Sequence, residues 1–520
     1  MSTRRVVVVG HGMVGSRFAH QLLTYADQAG TSVRTTVVGS EPHEPYNRLM
    51  LSEVVAGRAS LGGLALPRHD DRVTVLRGVA AQRLHRDRRV LSTDEGHEIP
   101  YDTVVLATGA EPAFPGDALT PGGGVRSLRT LDDCRDLLAV ASRRAHVTVV
   151  GGGLLGLELA CGLRTRGAEV ALVHLAPTVL ERQLDPAAGA TAGQVVRDLG
   201  IALHTGTQVE QVHHRDGHVA GLTLADGATF ATDLVVVCAG VRPRAEIATA
   251  AGLPVDRGVL VGDDLRSPAD ATVAAIGDCA QPPEGWTGLL APGWQQADRL
   301  ARDLAGLPAT ADAPAAGEVV KLKAVGLEVT TMGAAPPADP FANPSVRVLT
   351  LHDPARRRHV QAVLRDGRVV GASCVGAGRT AADLTQAFER GTPVPADPAA
   401  LLVPFPESAP STAADDPTRL PDAATVCRCN GVSKRAVVQA HLDGDRTIEQ
   451  VAARTRATTG CGGCRGLVEG LLEWMDRSEP ACADAEPAQP QSFPARNTAT
   501  QSKKHAVPSV TSTEARGVRS

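Results

Sequence analysis

Lysine is absent from the first 320 residues. Positions 321 and 323, in "KLKAVG", are the first it occupies, although arginine is used throughout. Genome composition is the plainer reading of such a bias, and a need for an ammonium group at this point is the alternative. No uninterrupted apolar stretch reaches the roughly 20 residues that span a bilayer, so no membrane segment is expected. The start, "MSTRRVVVVGHG", sets arginines before four valines, but that run is too short for a secretory signal and leads straight into glycines. It is expected to be a buried strand, and the chain is expected in the cytoplasm. A net charge of only −4 argues against a nucleic-acid surface. A disulfide framework is missing too. Of ten cysteines, Cys134, Cys161, Cys238, Cys279, Cys374 and Cys482 are scattered and four are clustered, the pattern of a reduced chain with one metal site. At 520 residues the chain exceeds what one core supports, so several domains are expected.

What is present begins with glycines. "RRVVVVGHGMVGSRFAHQLL" gives a strand, then Gly10, Gly12 and Gly15 in G-x-G-x-x-G spacing, then helical periodicity from Phe18. In this motif the first glycine permits the tight turn, the second lets backbone approach a pyrophosphate, and the third lets helix pack on strand. The next strand, "TTVVGSE", ends at Glu41, where a ribose-binding carboxylate belongs. The pattern recurs: "HVTVVGGGLLGLELACGL" supplies Gly151, Gly153 and Gly156, and the strand "AEVALVHL" follows. Its end carries His174, neither the carboxylate expected for NAD nor the arginine expected for NADP, so the choice of dinucleotide stays open.

Two later strands complete the set. "YDTVVLATGAEP" ends in Ala107-Thr108-Gly109 and "ATVAAIGDCA" in Gly277-Asp278. With these four motifs in order, the chain resembles the two-dinucleotide flavoprotein reductases. The resemblance implies an α/β fold of two Rossmann-like domains, the first binding FAD and the second, inserted, binding NAD(P)H. It also implies that Asp278 holds the flavin ribityl chain and Glu41 the adenosine ribose, and that Glu158 lies near the nicotinamide, although a helix residue there could equally be a dipole partner. Thiol-using members carry cysteine after the first ribose carboxylate, whereas "EPHEPYNRLMLSEV" has none. Tyr46, Asn47 and Arg48 are candidates to line the flavin, against the alternative of a surface turn opened by Pro42 and Pro45. "EPHEPYNRLMLS", "GGGLLGLELA", "GVRPR", "LLAPGWQQA" and "KLKAVG" are similar to the flavin portion of the NAD(P)H nitrite reductase large subunit and of assimilatory nitrate reductase electron-transfer subunits. In that branch a small α+β interface domain follows, which "EVVKLKAVGLEVTTMG", a hairpin at Asp366-Gly367 and the helix "RTAADLTQAFERG" fit.

After a Pro/Ser/Ala/Asp linker come Cys427-x-Cys429 and, after 31 intervening residues, Cys461-x-x-Cys464. Four thiolates suit zinc or an iron-sulfur cluster, and spacing alone does not decide. The C-x-C pair, the glycines around Cys461 and Cys464, and the cations Arg428, Lys434 and Arg465 beside the ligands favour iron. Ser433 is expected to cap one helix and Thr447 with Gln450 to box another, with a third running through Leu467, Leu471 and Met475. This arrangement resembles the bacterioferritin-associated-ferredoxin type of small helical [2Fe-2S] domain.

The expected organisation is an FAD-binding domain at 1–140 and 266–312, an NAD(P)H-binding domain at 141–265, an interface domain at 313–405, a linker at 406–424, the [2Fe-2S] domain at 425–476 and a disordered tail at 477–520. Only Cys482 follows Cys464, too few for the further cysteine quartet of a nitrite-reducing domain, so electrons are expected to pass to another polypeptide. The resemblance makes that partner an assimilatory nitrate reductase catalytic subunit, or a nitrite reductase. The alternatives are a ferredoxin or rubredoxin reductase of another redox system and an iron-sulfur redox sensor.

Overall fold

The computed structural model describes residues 3–141, 144–308, 319–337, 343–403, 420–427, 430–459 and 463–478. Residues 1–475 form one compact unit. Within it, Val6 to Val9 are at most 5% exposed, as a strand enclosed on both faces requires. Each such valine contributes about 1.5–3 kcal/mol relative to exposure. They sit at the centre of a six-stranded sheet in the order Arg266–Ser267, Asp270–Ala275, Thr103–Leu106, Arg4–Val9, Val33–Gly39, Val73–Arg77. All pairings in it are parallel except at the Arg266–Ser267 edge. A second sheet, wholly parallel, runs Ala202–Thr205, Glu169–His174, His146–Val150, Leu234–Val237, Val125–Ser127.

In both sheets the glycine loop follows the central strand and opens the next helix, Met13–Ala29 or Leu154–Thr165. The close approach is steric in origin. A Cβ at Gly15 would lie 2.0 Å from the Gly10 carbonyl oxygen, and one at Gly156 would lie 1.8 Å from that of Gly151. Gly10 and Gly151 themselves have φ of 119° and 115°, which a side chain disfavours. The first helix starts at Met13 rather than at Phe18, because Gly12 is already the extended N-cap. The strand expected to reach Glu41 stops at Gly39, which leaves Glu41 in the turn that follows.

Beyond these folds lies an antiparallel sheet ordered Val319–Lys321, Val329–Gly333, Arg368–Val375, Arg358–Arg365, Val346–Asp353, covered by the helix Gly378–Arg390. Its hairpin turns at Asp366 and Gly367, with φ of 49° and 69°, the left-handed pair that matches strand twist. The strand Val346–Asp353 is one the sequence reading did not assign. The C-terminal region pairs Thr425–Cys427 with Val432–Ser433 and adds the helices Lys434–Leu442, Ile448–Thr455 and Arg465–Ser478. Ser433 accepts from the Ala436 amide, and Thr447 with Gln450 closes a capping box, as expected. Leu471 and Met475 enter this region's core with Val468 and Leu472, and Leu467 packs against it.

Candidate functional site

A cleft of about 1040 Å³ opens over the C-terminal ends of the first sheet, where open α/β sheets bind ligands. Gly10, Gly12, Glu41, Arg48, Thr108, Gly109, Gly277 and Asp278 all line it, so the structure gathers eight candidates from five separate segments. Gly15 lies behind the cleft as the packing glycine. Glu41 accepts from the Tyr46 hydroxyl at 2.6 Å and from Arg48 Nη2 at 3.0 Å, which orients its carboxylate. Tyr46 is 5% exposed and also accepts from the Leu131 amide, so this stretch is a buried wall and not a surface turn.

Sequence reasoning missed Arg129. Its Nη2 lies 2.7 Å from Asp278 Oδ2, and its guanidinium is pushed below the ordinary arginine value by burial and by the nearby charges of Arg48 and Arg244. Cationic side chains and a helix N-terminus on one cleft suit an anionic dinucleotide. A buried His11 Nδ1 on the same wall has no partner, which is a polar atom waiting for a ligand. The donor set and the glycine cradle therefore fit a flavin dinucleotide.

At the second fold, Gly151, Gly153 and Gly156 reproduce the turn and the close approach. His174 Nδ1 accepts from the Gly152 amide at 3.1 Å, and its Nε2 lies 2.9 Å from Glu181 Oε2. The strand-end histidine thus braces the glycine loop and holds a carboxylate, Glu181, that the sequence reading passed over. Glu158 does not line the flavin cleft. It is 6% exposed and accepts from Ser52 Oγ at 2.6 Å, the Lys323 amide at 3.1 Å and Lys323 Nζ at 3.1 Å. The lysine that the sequence flagged is therefore the counter-ion of a buried carboxylate from another domain, while Lys321 is exposed.

In the C-terminal region Cys427 and Cys464 lie among the described residues, and Cys429 and Cys461 lie outside them. No group of three or more metal-ligating side chains therefore appears among the described residues. The Cys427 thiol is held down to about 6, first by the Cys464 thiol and then by the backbone of Asn430 and Thr458 and the Asn430 side chain. A lowered thiol is what a metal ligand requires. Of the cations expected to offset a cluster, the two described ones make contacts of their own. Lys434 donates to the Leu420 carbonyl at 2.9 Å, Arg465 lies 3.1 Å from Glu469 and 3.7 Å from Glu449, and Arg428 lies outside the described residues. A residue no spacing rule picked out, Asn430, places its Nδ2 3.8 Å from the Cys427 sulfur. No helix among the described residues is long and apolar enough to cross a membrane.

Residues 4–298 match the pyridine nucleotide-disulphide oxidoreductase family, and residues 425–474 match the BFD-like [2Fe-2S] binding domain. The chain is 33% identical over 480 residues to the nitrite reductase [NAD(P)H] large subunit of Klebsiella oxytoca, which covers 90% of this chain and 49% of that one. It is 29% identical over 496 residues to the assimilatory nitrate reductase electron transfer subunit of Bacillus subtilis (strain 168), covering 92% and 61%. This chain thus spans about half to three-fifths of these relatives. Putidaredoxin reductase, solved in covalent complex with putidaredoxin, superposes with a TM-score of 0.67 at 25% identity, over 79% of this chain and 97% of that one.

Proposed function

Because the chain belongs to the pyridine nucleotide-disulphide oxidoreductase family and carries a BFD-like [2Fe-2S] domain behind its two dinucleotide folds, we propose that it passes electrons from NAD(P)H to a nitrate- or nitrite-reducing partner. The assimilatory nitrate reductase catalytic subunit is the leading acceptor, in line with the names of the relatives. The observation that carries the reading is a contrast among cysteines. Burial pushes the thiols of Cys134 and Cys161 up to about 11, those of Cys238 and Cys374 up to about 12, and that of Cys279 upward as well. Cys427, in contrast to these five, is lowered, to about 6. Among the described residues no cysteine lines the flavin cleft, so thiol chemistry there lacks its nucleophile. The thiolate-forming site is in the C-terminal domain.

When bound, FAD would take one hydride, which carries two electrons, and the cluster would carry single electrons. The chain's own residues position these groups. Gly10 and Gly12 present backbone to the FAD pyrophosphate, Glu41 holds the adenosine ribose, Asp278 holds the ribityl chain, and Arg48, Thr108, Gly109 and Gly277 frame the ring. Gly151, Gly153 and Gly156 receive NAD(P)H. Cys427, Cys429, Cys461 and Cys464 ligate the cluster. Glu158, beside the nicotinamide in this reading, is held in place by Lys323 and Ser52.

An anaerobic titration with NADH, and separately with NADPH, followed by visible absorbance and low-temperature electron paramagnetic resonance, tests this. Flavin bleaching with the one-spin signal of a reduced [2Fe-2S] centre is expected, and bleaching with no such signal at full metal content refutes the relay. The likeness to putidaredoxin reductase favours a second reading, a reductase serving a free iron-sulfur protein. Turnover with ferredoxin but not with purified nitrate reductase catalytic subunit would select it.

A further inference from the structure

The helix Met13–Ala29 serves two neighbours. Its first residues, Met13 and Val14, line the flavin cleft, and one turn later Arg17 reaches the cysteine-bearing domain. Arg17 is 9% exposed. Its Nε and Nη2 donate to the Asp298 carboxylate at 2.8 and 2.7 Å, and its Nη1 donates to Asn430 Oδ1 at 2.8 Å. Its guanidinium carbon lies 4.8 Å from the centre of the Trp294 ring. Trp294 is buried beside Met13, with Leu49 and Leu290 packed against the pair, and all three of those neighbours line the cleft. On the far side, Asn430 Nδ2 donates to Thr459 Oγ1 at 3.1 Å, to the Arg456 carbonyl at 2.5 Å and to Cys427 Sγ at 3.8 Å.

The amide of Asn430 can take only one orientation in these surroundings. Its oxygen faces a guanidinium and its nitrogen faces a carbonyl, a hydroxyl and a sulfur, so a flip would oppose every partner. The bidentate ion pair with Asp298 fixes Arg17 first, and Arg17 then fixes the amide. An unbroken series of contacts thereby joins the cleft wall to a cysteine sulfur. Hydrogen bonds to the sulfurs are one of the means by which a protein sets a cluster's potential.

We propose that Arg17 is a positioning residue that docks the [2Fe-2S] domain on the flavin fold and aims the Asn430 amide at the Cys427 sulfur, so that the flavin-to-cluster separation and the cluster potential are set by one joint. This rests on the reading of Cys427 as a cluster ligand. The electron passage it serves is balanced. The reduced flavin loses one electron and a proton to solvent, the oxidised cluster gains the electron, and the second electron follows once an acceptor protein has taken the first.

The test uses the full chain and three variants. Arg17→Met keeps the stem on Trp294 and removes the donors, Arg17→Lys keeps the charge without the fork, and Asn430→Asp keeps the acceptor for Arg17 but turns an anionic oxygen toward the sulfur. Arg17→Met is expected to raise hydrogen exchange about tenfold or more in 13–29 and 430–459, the factor carried by a charged hydrogen bond. It should also slow cluster reduction by pre-reduced flavin severalfold at unchanged iron content, and Arg17→Lys should recover part of both. Asn430→Asp should keep the exchange protection yet lower the cluster's midpoint potential. If exchange rises while potential and transfer rate stay at the wild-type values, Arg17 is a tie between domains and the positioning role is overturned. Wild-type values throughout overturn the joint as well. Should Arg17→Met fail to fold, Asp298→Asn removes the anchor of the guanidinium and is read by the same outcomes. A wild-type chain without a cluster would refute the cofactor reading instead, and exchange in that chain still decides the docking.

Discussion

His11 and His69 meet Nε2 to Nε2 at 3.1 Å, and burial pushes both rings down to about 4. Because their folded values lie below the unfolded value of about 6.5, the unfolded chain binds more protons between these limits. Stability is therefore fully present above about pH 6.5 and is lost as pH falls toward 4. The rings are partly exposed and share one hydrogen bond, so a loss of about 2 kcal/mol for the pair between pH 7 and pH 5 is expected. Urea denaturation at the two pH values checks this, and the double variant His11→Gln with His69→Gln should flatten the difference. A second residue-level expectation concerns Glu158. Lys323→Met strands a buried carboxylate and should cost about 3 kcal/mol, whereas Lys323→Met with Glu158→Gln should regain most of it. A chemical-denaturation cycle on the four proteins measures that coupling. The sequence made Lys323 conspicuous by the scarcity of lysine before it, but not its partner, because 165 residues separate the two. The same holds for Arg129 with Asp278 and for Arg17 with Asn430. Side chains paired across domains leave no period or spacing for a reader to find.

Local steric demand, by contrast, is written locally. Both strand-turn-helix units were legible because Gly15 and Gly156 each answer a clash within their own loop, and the caps at Ser433 and Thr447 because each satisfies amides three residues on. Boundaries were less so. The helix after Gly12 begins five residues before Phe18, since Met13 and Val14 face the cleft and Arg17 a neighbouring domain, so that the first turn does not follow a single apolar stripe. The strand Val346–Asp353 escaped notice because only its first residue is fully buried and the rest are half-buried or exposed. The glycine argument yields its own prediction. In Gly156→Ala the added methyl would lie 1.8 Å from the Gly151 carbonyl oxygen, so the loop that receives NAD(P)H must shift. Such overpacking costs about 1–3 kcal/mol. NAD(P)H should then reduce the flavin at least about tenfold more slowly at low concentration, while dithionite still reduces it at the wild-type rate. Stopped-flow absorbance compares the two reductants in one preparation. Equal slowing with both would mean that Gly156 serves the fold and not the nucleotide.

At the scale of the whole molecule, the C-terminal domain depends on something beyond its own core. Among the described residues its buried apolar set is twelve, from Val426 to Met475, in a region of about fifty. Domains below about 70–80 residues seldom bury enough apolar surface to offset their chain entropy without a staple or a metal. Four thiolates on one cluster would supply that staple, because binding free energy at an unformed site is folding free energy. The two parallel-sheet folds have far larger cores and need no such help. Cys427→Ser should accordingly separate two properties that are joined in the wild-type chain. The variant should lose iron and the one-spin signal, and proteolysis should reach residues 425–478 while 1–308 remain protected. Flavin should stay bound and NAD(P)H should still bleach it, because no cysteine lines the cleft among the described residues. Electron delivery to a protein acceptor should fall to background even though a small acceptor able to reach the flavin directly is still reduced. Limited proteolysis with mass spectrometry, read beside flavin content and acceptor assays, checks each part. Retention of iron together with delivery would remove Cys427 from the ligand set, and with it the route by which electrons leave the flavin.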